Sequence, residues 1–428
     1  MSDTQISNEP YWWMAAPPAT EETSPLPKLA DVAIIGAGYT GLSAAITLSR
    51  AGRSVVVLDK LLPGEGASSR NGGITSGNLR LSNSALARRF GQIRADAIVK
   101  ESKNARDDLY KFIDDEKIDC DFKLVGRFAG ALSERQYDAL ARDSDYLSKT
   151  LGIEAFPVPA SSMHNHIATE LYKGGGVRMD IGGLHPGKLH AAMLRLARAA
   201  GAVVIGGTAV QGVVPDGTLH QIATVRGTVR AREVISATNG YTDRSDQWLQ
   251  RRIVPIRSRI IVTETLPPGL IDQLLPSRMM ISDKRKLTYY FRPTPDGSRL
   301  LFGGRDGTFS GDPAWPTRHL ETEMTRIFPA LAGIGLSHSW FGQVAMNRDM
   351  MPRIFQKNGI HYATGCCGSG VVWLRWAGIM VANKILGSEI PSSLDFDPPR
   401  SIPFFKGTAW FMPAVFAAMK VQDKFSLR

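Results

Sequence analysis

Asp31-Val-Ala-Ile-Ile-Gly36-Ala-Gly38-Tyr-Thr-Gly41 is the stretch that decides the fold. Asp31 to Ile35 is a short, mostly apolar run that reads as a buried strand, and glycines punctuate the turn after it. Leu42 to Ala51 carries apolar residues at helical spacing, and Ser54 to Leu58 returns to a β-branched strand ending in Asp59. Strand, turn, helix, strand is a right-handed crossover that builds a parallel sheet. The three glycines act differently. Gly36 makes the tight turn, Gly38 lets backbone approach a pyrophosphate, and Gly41 permits close helix-to-strand packing. The pyrophosphate would sit on the helix N-terminus, where free N–H groups and the dipole favour an anion. Asp59, at the offset of about twenty residues where an acid accepts from ribose hydroxyls, completes a dinucleotide fingerprint. A ligand-free glycine-rich turn is the competing reading, and the full context outweighs it.

Working outward, Gly64-Glu-Gly-Ala-Ser-Ser-Arg-Asn-Gly-Gly73 combines small residues with clustered polar side chains, as suits a loop lying against a large flat cofactor. From Ala85 to about Thr150 the composition turns polar and helix-favouring, which suggests a helical insertion away from the cofactor. The sheet pattern returns with a helix at His190 to Ala200 and strands at Ala202 to Ile205, Ala209 to Val214 and Val229 to Ser236. Alternating strands at Arg259 to Thr263, Thr288 to Arg292 and Arg299 to Phe302 read as an antiparallel sheet. Gly359 to Thr364 is an expected strand, and Val371 to Leu386 an expected helix behind Gly365-Cys-Cys-Gly-Ser-Gly370.

Fingerprint, loop and spacing resemble the FAD oxidoreductases of the D-amino-acid-oxidase type, and within them the γ-glutamylputrescine oxidoreductase branch. The resemblance continues through Gly183-Leu-His-Pro186, Ala237-Thr-Asn-Gly-Tyr241, Tyr289-Tyr-Phe-Arg292, Leu300-Leu-Phe-Gly-Gly304 and Trp340-Phe-Gly342 with Asp349, spanning nearly the whole chain. It implies an α/β (α+β) fold of the glutathione-reductase-2 kind, in which a Rossmann-type FAD-binding domain is interleaved with an antiparallel-sheet substrate domain. Residues 28–84, 176–244 and 335–390 are expected to bind FAD, 85–175 and 245–334 the substrate, and 391–428 to form a tail on the body. The implied FAD contacts are Gly36, Gly38, Tyr39, Thr40, Gly41, Asp59, Lys60, Ala67, Ser68, Ser69, Arg70, Asn71, Gly72, Gly73, Val210, Ala237 and Thr238. Val210 resembles the residue whose backbone meets adenine. Gly365, Gly368, Ser369, Gly370, Val371 and Val372 carry the family's flavin-facing loop, whose N–H groups would face the flavin where negative charge accumulates.

Departures from the pattern also inform. Where many relatives read Gly-His-Gly, this chain reads Gly368-Ser369-Gly370 behind Cys366 and Cys367. The linking cysteine of sarcosine-oxidase-like relatives aligns with Gly342, so packed, inert cysteines and non-covalent FAD are expected. The carboxylate-gripping arginine of glycine-oxidase-like relatives aligns near Val344, and the oxygen-promoting lysine of sarcosine-oxidase-like relatives near Leu301. Oxidase and dehydrogenase both stay open.

Tyr290, Arg292, His185 and Trp340 are the candidate substrate contacts, because aromatic walls with a few polar tips suit small-molecule pockets. Burial in a core is the competing reading for each aromatic. The expected reaction is hydride transfer from the α carbon of a neutral amine to flavin N5, followed by imine hydrolysis to an aldehyde or keto product, without a dedicated protein base. A nicotinamide-dependent dehydrogenase would share the Rossmann unit but leaves the Ala67 to Gly73 loop unexplained. A flavin hydroxylase lacks its Gly-Asp-Ala type motif here. A flavin-binding protein without amine oxidation stays a third possibility.

The 428 residues exceed what one core usually serves, and 43% are apolar, as in a soluble globular protein. The net charge of +11 is scattered, without zinc-finger, RNP or basic-helix signatures, so a solvated basic surface is preferred over nucleic-acid binding. The start lacks the charged and apolar regions of a secretory signal, which points to a mature chain beginning near Met1. Val371 to Leu386 is broken by Arg375 and Lys384, so no spanning helix and no stable membrane insertion are expected. Cys120, Cys366 and Cys367 imply no disulfide framework and fit the cytoplasm; the histidines show no metal-ligand spacing, so no metal is expected. Thr408 to Met419 and Tyr11-Trp-Trp13 are apolar enough for membrane contact, with packing on the body preferred. Monomer and homo-oligomer are equally open.

Overall fold

Val55–Leu58 is apolar at every position and buried on both faces, as a central parallel strand must be. It pairs in parallel with Leu29–Ile35 on one side and Val203–Ile205 on the other. Beyond Leu29–Ile35 lie Gly227–Ser236 and Ile360–Thr364, both parallel to their neighbours. Arg353–Lys357 closes the edge as an antiparallel hairpin through Asn358 and Gly359, whose positive φ angles of 51° and 77° suit a tight two-residue turn. Val210–Asp216 and Leu219–Thr224 form a second hairpin attached to Gly227–Ser236, giving eight strands. Leu219–Thr224 was not anticipated from the sequence. The computed structural model describes residues 6–20, 24–305 and 313–426; the expected start at Met1 lies outside them.

The second sheet also has eight strands, in the spatial order Leu336–Met346, Val254–Thr263, Leu300–Arg305, Tyr290–Pro293, Met280–Asp283, Arg127–Gly130, Gly174–Arg178 and Ala155–Pro159. All pairs are antiparallel except Met280–Asp283 with Arg127–Gly130. Leu336–Met346 pairs with Val254–Thr263 across ten positions, and Gly174–Arg178 pairs with Arg127–Gly130, so both strands belong to the second sheet.

Helices Tyr39–Arg50 and Gly370–Ile385 pack on the parallel sheet with Leu42, Ala45, Leu48, Trp373, Ala377 and Val381 buried between them. Each such large side chain contributes about 1.5–3 kcal/mol through burial. The two backbones approach so closely that a Cβ at Gly378 would lie 2.3 Å from Thr40 O. Gln92–Asp115 joins the same core through Ala105, Leu109 and Ile113. An apolar stripe along this otherwise polar helix thus packs part of the expected helical insertion onto the core of the parallel sheet. Glu134–Leu151 instead lies against the second sheet, with Leu140 over Gly176.

In the tail, Phe405, Ala409, Met412 and Phe416 pack on Val254 and Ile256, and Asp423 accepts from the amides of Lys286 and Leu287 at 2.7 and 3.2 Å. Phe404 and Trp410 stay exposed. Among the described residues, no helix is long and apolar enough to cross a membrane.

Candidate cofactor and active site

The Gly36 to Gly41 turn connects the first strand to Tyr39–Arg50 with no room for side chains. Gly36 adopts φ +107°, and its N–H donates to Leu58 O at 2.8 Å. A Cβ at Gly41 would fall 1.9 Å from Gly36 O. The Ala37 peptide is pinned on both sides: its N–H donates to Asp59 Oδ2 at 2.7 Å, and its carbonyl meets His190 Nε2 at 2.8 Å. A carbonyl can only accept, so Nε2 carries the proton, and burial pushes the His190 pKa down and keeps the ring neutral. Asp59 Oδ1 accepts from Leu61 N–H at 2.9 Å, and burial raises its pKa. Each Asp59 oxygen keeps a lone pair for a ribose hydroxyl.

The turn fits a pyrophosphate on three observations. Thr40 Oγ1 is buried at the helix N-terminus with no hydrogen-bond partner. Gly38 leaves backbone open beside Ser68 Oγ, which would lie 3.0 Å from a Cβ there and accepts from Tyr39 N–H at 3.0 Å. The N–H groups of the first helical turn are the orphan donors that bind anions.

Ala67–Arg70 forms one helical turn, capped by Asn71, whose Nδ2 donates to Ser68 O at 2.9 Å and whose Oδ1 accepts from Gly73 N–H at 2.8 Å. Three indoles hold this loop from outside. Trp12 Nε1 donates to Asn71 O at 2.8 Å, Trp13 Nε1 to Ser69 Oγ at 2.8 Å, and Trp340 Nε1 to Arg70 O at 2.9 Å. Arg70 lies over the Trp13 ring at 4.4 Å while its Nε donates to Glu65 O. Tyr11-Trp-Trp13 thus packs on the body, and the polar edges of its rings find partners as buried aromatics require.

Elsewhere, Ala237 O stands 3.0 Å from a would-be Gly36 Cβ, and Thr238 Oγ1 bonds Thr242 Oγ1 at 2.7 Å. Lys60 turns outward to Asp243 Oδ2 at 2.8 Å. Thr208 N–H donates to Asp59 O at 2.7 Å, which brings the segment leading to Val210 alongside Asp59.

The loop before Gly370–Ile385 is tied at several points. Gly365 N–H and Asn239 Nδ2 engage Asn239 Oδ1 and Cys366 Sγ respectively, at 3.0 and 3.5 Å. Ser369 Oγ donates to Asn78 O at 2.7 Å. Cys367 takes φ +51°, its N–H donates to Ala345 O, and burial pushes its thiol up to about 12. Val371 and Val372 are buried in the helix's first turn.

A cavity of about 710 Å³ lies between the sheets, lined on one side by Tyr39, Ala67, Ser68, Arg70, Asn71 and Gly72 and by Gly368 to Val371. Tyr290 lines it too: its ring abuts Gly72 and Gly303, and its hydroxyl meets Ser258 Oγ at 3.2 Å. The other three candidate substrate contacts lie elsewhere. Arg292 is 3% exposed and donates to Gly73 O at 3.1 Å, Leu184 O at 2.9 Å and Pro293 O at 3.0 Å. It staples the cofactor loop to residue 184. His185 caps Pro186–Ala199, accepting from Lys188 N–H at 3.1 Å, and packs edge-on against Trp12. Burial lowers its pKa to about 4. Trp340 is buried behind Arg70.

Sequence reading missed His190, the role of Trp12 and Trp13 as loop clamps, and the charged wall formed by Arg80, Arg127, Lys284 and Arg305. These residues come from four separate strands and loops, so no local spacing joins them. The Pro186 to His190 interval, which puts His190 one turn into a helix beside the fingerprint, was the only local hint.

The chain is similar to known proteins along most of its length. The chain is 30% identical over 398 residues to "Probable oxidoreductase OrdL" of Rhizobium meliloti, covering 90% of this chain and 89% of that protein. It is 29% identical to "Gamma-glutamylputrescine oxidoreductase" of Escherichia coli, over 83% and 84% of the two chains. Glycine oxidase from Geobacillus kaustophilus superposes with a TM-score of 0.74 at 22% identity, covering 88% of this chain and all of that one, which establishes the shared fold. The DAO family profile, described as FAD dependent oxidoreductase, matches residues 31–384. With a dinucleotide cradle at its fingerprint turn and that match across most of its length, the chain belongs to the DAO family of FAD-dependent oxidoreductases.

Proposed function

We propose that the protein oxidises the carbon–nitrogen bond of a small amine, N-substituted amine or amino acid. One observation carries this reading: the cavity is continuous from the cofactor loops at Ala67 to Gly72 and Gly368 to Val371 to a wall bearing Arg80, Lys284 and Arg305. A small molecule on that wall is adjacent to the loops that hold the cofactor. Two relatives name amine-bearing compounds, γ-glutamylputrescine and glycine, and lend support.

When bound, FAD supplies the acceptor for the hydride that leaves the substrate α carbon. The chain supplies orientation and electrostatics. Hydride loss needs the amine lone pair, so the amine must be unprotonated, and the cations on the wall disfavour an ammonium among them. Gly370–Ile385 directs its N-terminal dipole toward the cavity, where partial positive charge favours developing negative charge. The imine then hydrolyses to an aldehyde or keto product. Non-covalent FAD is supported by the Cys367 thiol, which burial keeps protonated and unreactive. Three free, buried cysteines support a cytoplasmic setting.

The test is anaerobic mixing of the FAD-loaded protein with polyamines, N-methyl amines and N-substituted amino acids. At least one class should bleach the flavin absorbance, and admitting air with a peroxide assay then separates oxygen from another acceptor. FAD-loaded protein left unbleached by every class would refute amine oxidation.

A further inference from the structure

The cavity wall opposite the cofactor loops is charged in a way that amine oxidation alone does not explain. Arg106 and Arg178 share Asp180, and Arg285 pairs with Asp283. Four other cations on the same wall, Arg80, Arg127, Lys284 and Arg305, make no ion pair among the described residues. The Arg305 side chain, at the end of its strand, makes neither a hydrogen bond nor an ion pair with any described residue. Its Nη2 stands 3.3 Å from where a Cβ of Gly368 would lie, so the guanidinium overhangs the loop that heads the last helix. Among the described residues the Arg80 side chain donates only to Lys286 O at 3.3 Å, and that of Arg127 only to Ser282 Oγ at 2.9 Å. Lys284 forms no ion pair among the described residues, although the Asp143 carboxylate on the same wall attracts it.

These four charges line one cavity. Arg80 repels Arg305, and Lys284 feels the repulsion of Arg127, Lys286 and Arg80 against the attraction of Asp143. Burial, with repulsion from Arg80, pushes Arg305 down to about 10, and burial, with repulsion from Arg178, does the same to Arg127. Holding like charges together in a sequestered space is costly unless the occupant brings opposite charge. A guanidinium fork is suited to a carboxylate, which it grips through two parallel N–H bonds.

We propose that the substrate is an amine carrying two carboxylates, the one nearer the cofactor held by Arg305 and Arg80 and the further one by Lys284 and Arg127. The inference rests on the amine-oxidation reading and fixes the charge class of its substrate. A free polyamine, cationic at both ends, is excluded by the same wall.

The experiment uses the FAD-loaded protein with two acids that carry no amine to oxidise, read by calorimetry and by perturbation of the flavin spectrum, and with one diamine. Glutarate carries two carboxylates, butyrate one, and 1,4-diaminobutane two ammonium groups and no carboxylate; the diamine is mixed anaerobically and read by calorimetry alone. Glutarate is expected to bind at least tenfold more tightly than butyrate, with affinity falling as salt rises, and 1,4-diaminobutane to bind more weakly than either. Lys284→Gln should cost about tenfold for glutarate and leave butyrate unchanged, while Arg305→Gln should weaken both. Equal binding of glutarate and butyrate, or tightest binding of the diamine, overturns the proposal on wild-type protein alone, whether or not the variants fold. The two readings fail separately. Flavin bleached only by uncharged or cationic amines sinks the dicarboxylate and leaves amine oxidation standing, whereas glutarate binding without bleaching by any amine does the reverse.

Discussion

Arg292→Met separates a structural role from a substrate role at a position that sequence reading assigned to the substrate. The guanidinium is buried and donates to three carbonyls. Gly73 O would keep one donor after the change, the Leu184 N–H at 2.8 Å, whereas Leu184 O has no other donor among the described residues and would be left buried and unpaired. An orphaned carbonyl costs about 1–3 kcal/mol and a lost charge-assisted bond to Gly73 somewhat less, for a total of about 2–4 kcal/mol. Some of this is offset because a cation held down to about 10 by burial no longer has to be desolvated. Since Gly73 closes the loop beside the cavity, the loss should appear as weaker FAD binding, tenfold or more, together with a lower melting temperature. FAD affinity is measured by titrating the apoprotein, and KM by steady-state assay at saturating FAD. Unchanged FAD affinity and melting temperature with a raised KM would mean that Arg292 touches substrate, and the staple would be wrong.

Gly41→Ala should leave the protein nearly colourless after purification, since a methyl 1.9 Å from Gly36 O must displace the helix whose N-terminus holds the pyrophosphate, at about 1–3 kcal/mol or more; full flavin content would count against the cradle. Trp13→Phe removes one hydrogen bond to Ser69 and should weaken FAD binding by about 1 kcal/mol without altering the far-ultraviolet circular dichroism, measured by the same titration. Burial lowers His185 from 6.5 to about 4, so the unfolded chain binds the extra proton between those values; stability is full above about pH 7 and should fall by about 2 kcal/mol by pH 5. Denaturant melts of wild type and His185→Gln across that range check it, and parallel pH slopes would rule out His185 as the source.

Local chemistry made the cofactor half of this protein legible. Gly36, Gly38, Gly41 and Asp59 act through backbone geometry within about thirty residues of chain, where steric need and helix polarity write directly into residue type. The same holds for the loop from Ala67 to Gly73, whose small residues signal close approach. Tertiary structure alone decided the other half. Whether Leu336–Met346 sits in the first sheet or the second depends on its register with Val254–Thr263. Whether Arg292 meets a ligand or two carbonyls depends on where residues 73 and 184 arrive, and both questions involve partners about 80 to 220 positions away. The group of Arg305, Arg80, Lys284 and Arg127 belongs to this second kind. Each is an ordinary basic residue in sequence, and only the folding of two sheets around one cavity turns them into neighbours whose repulsion calls for an anion.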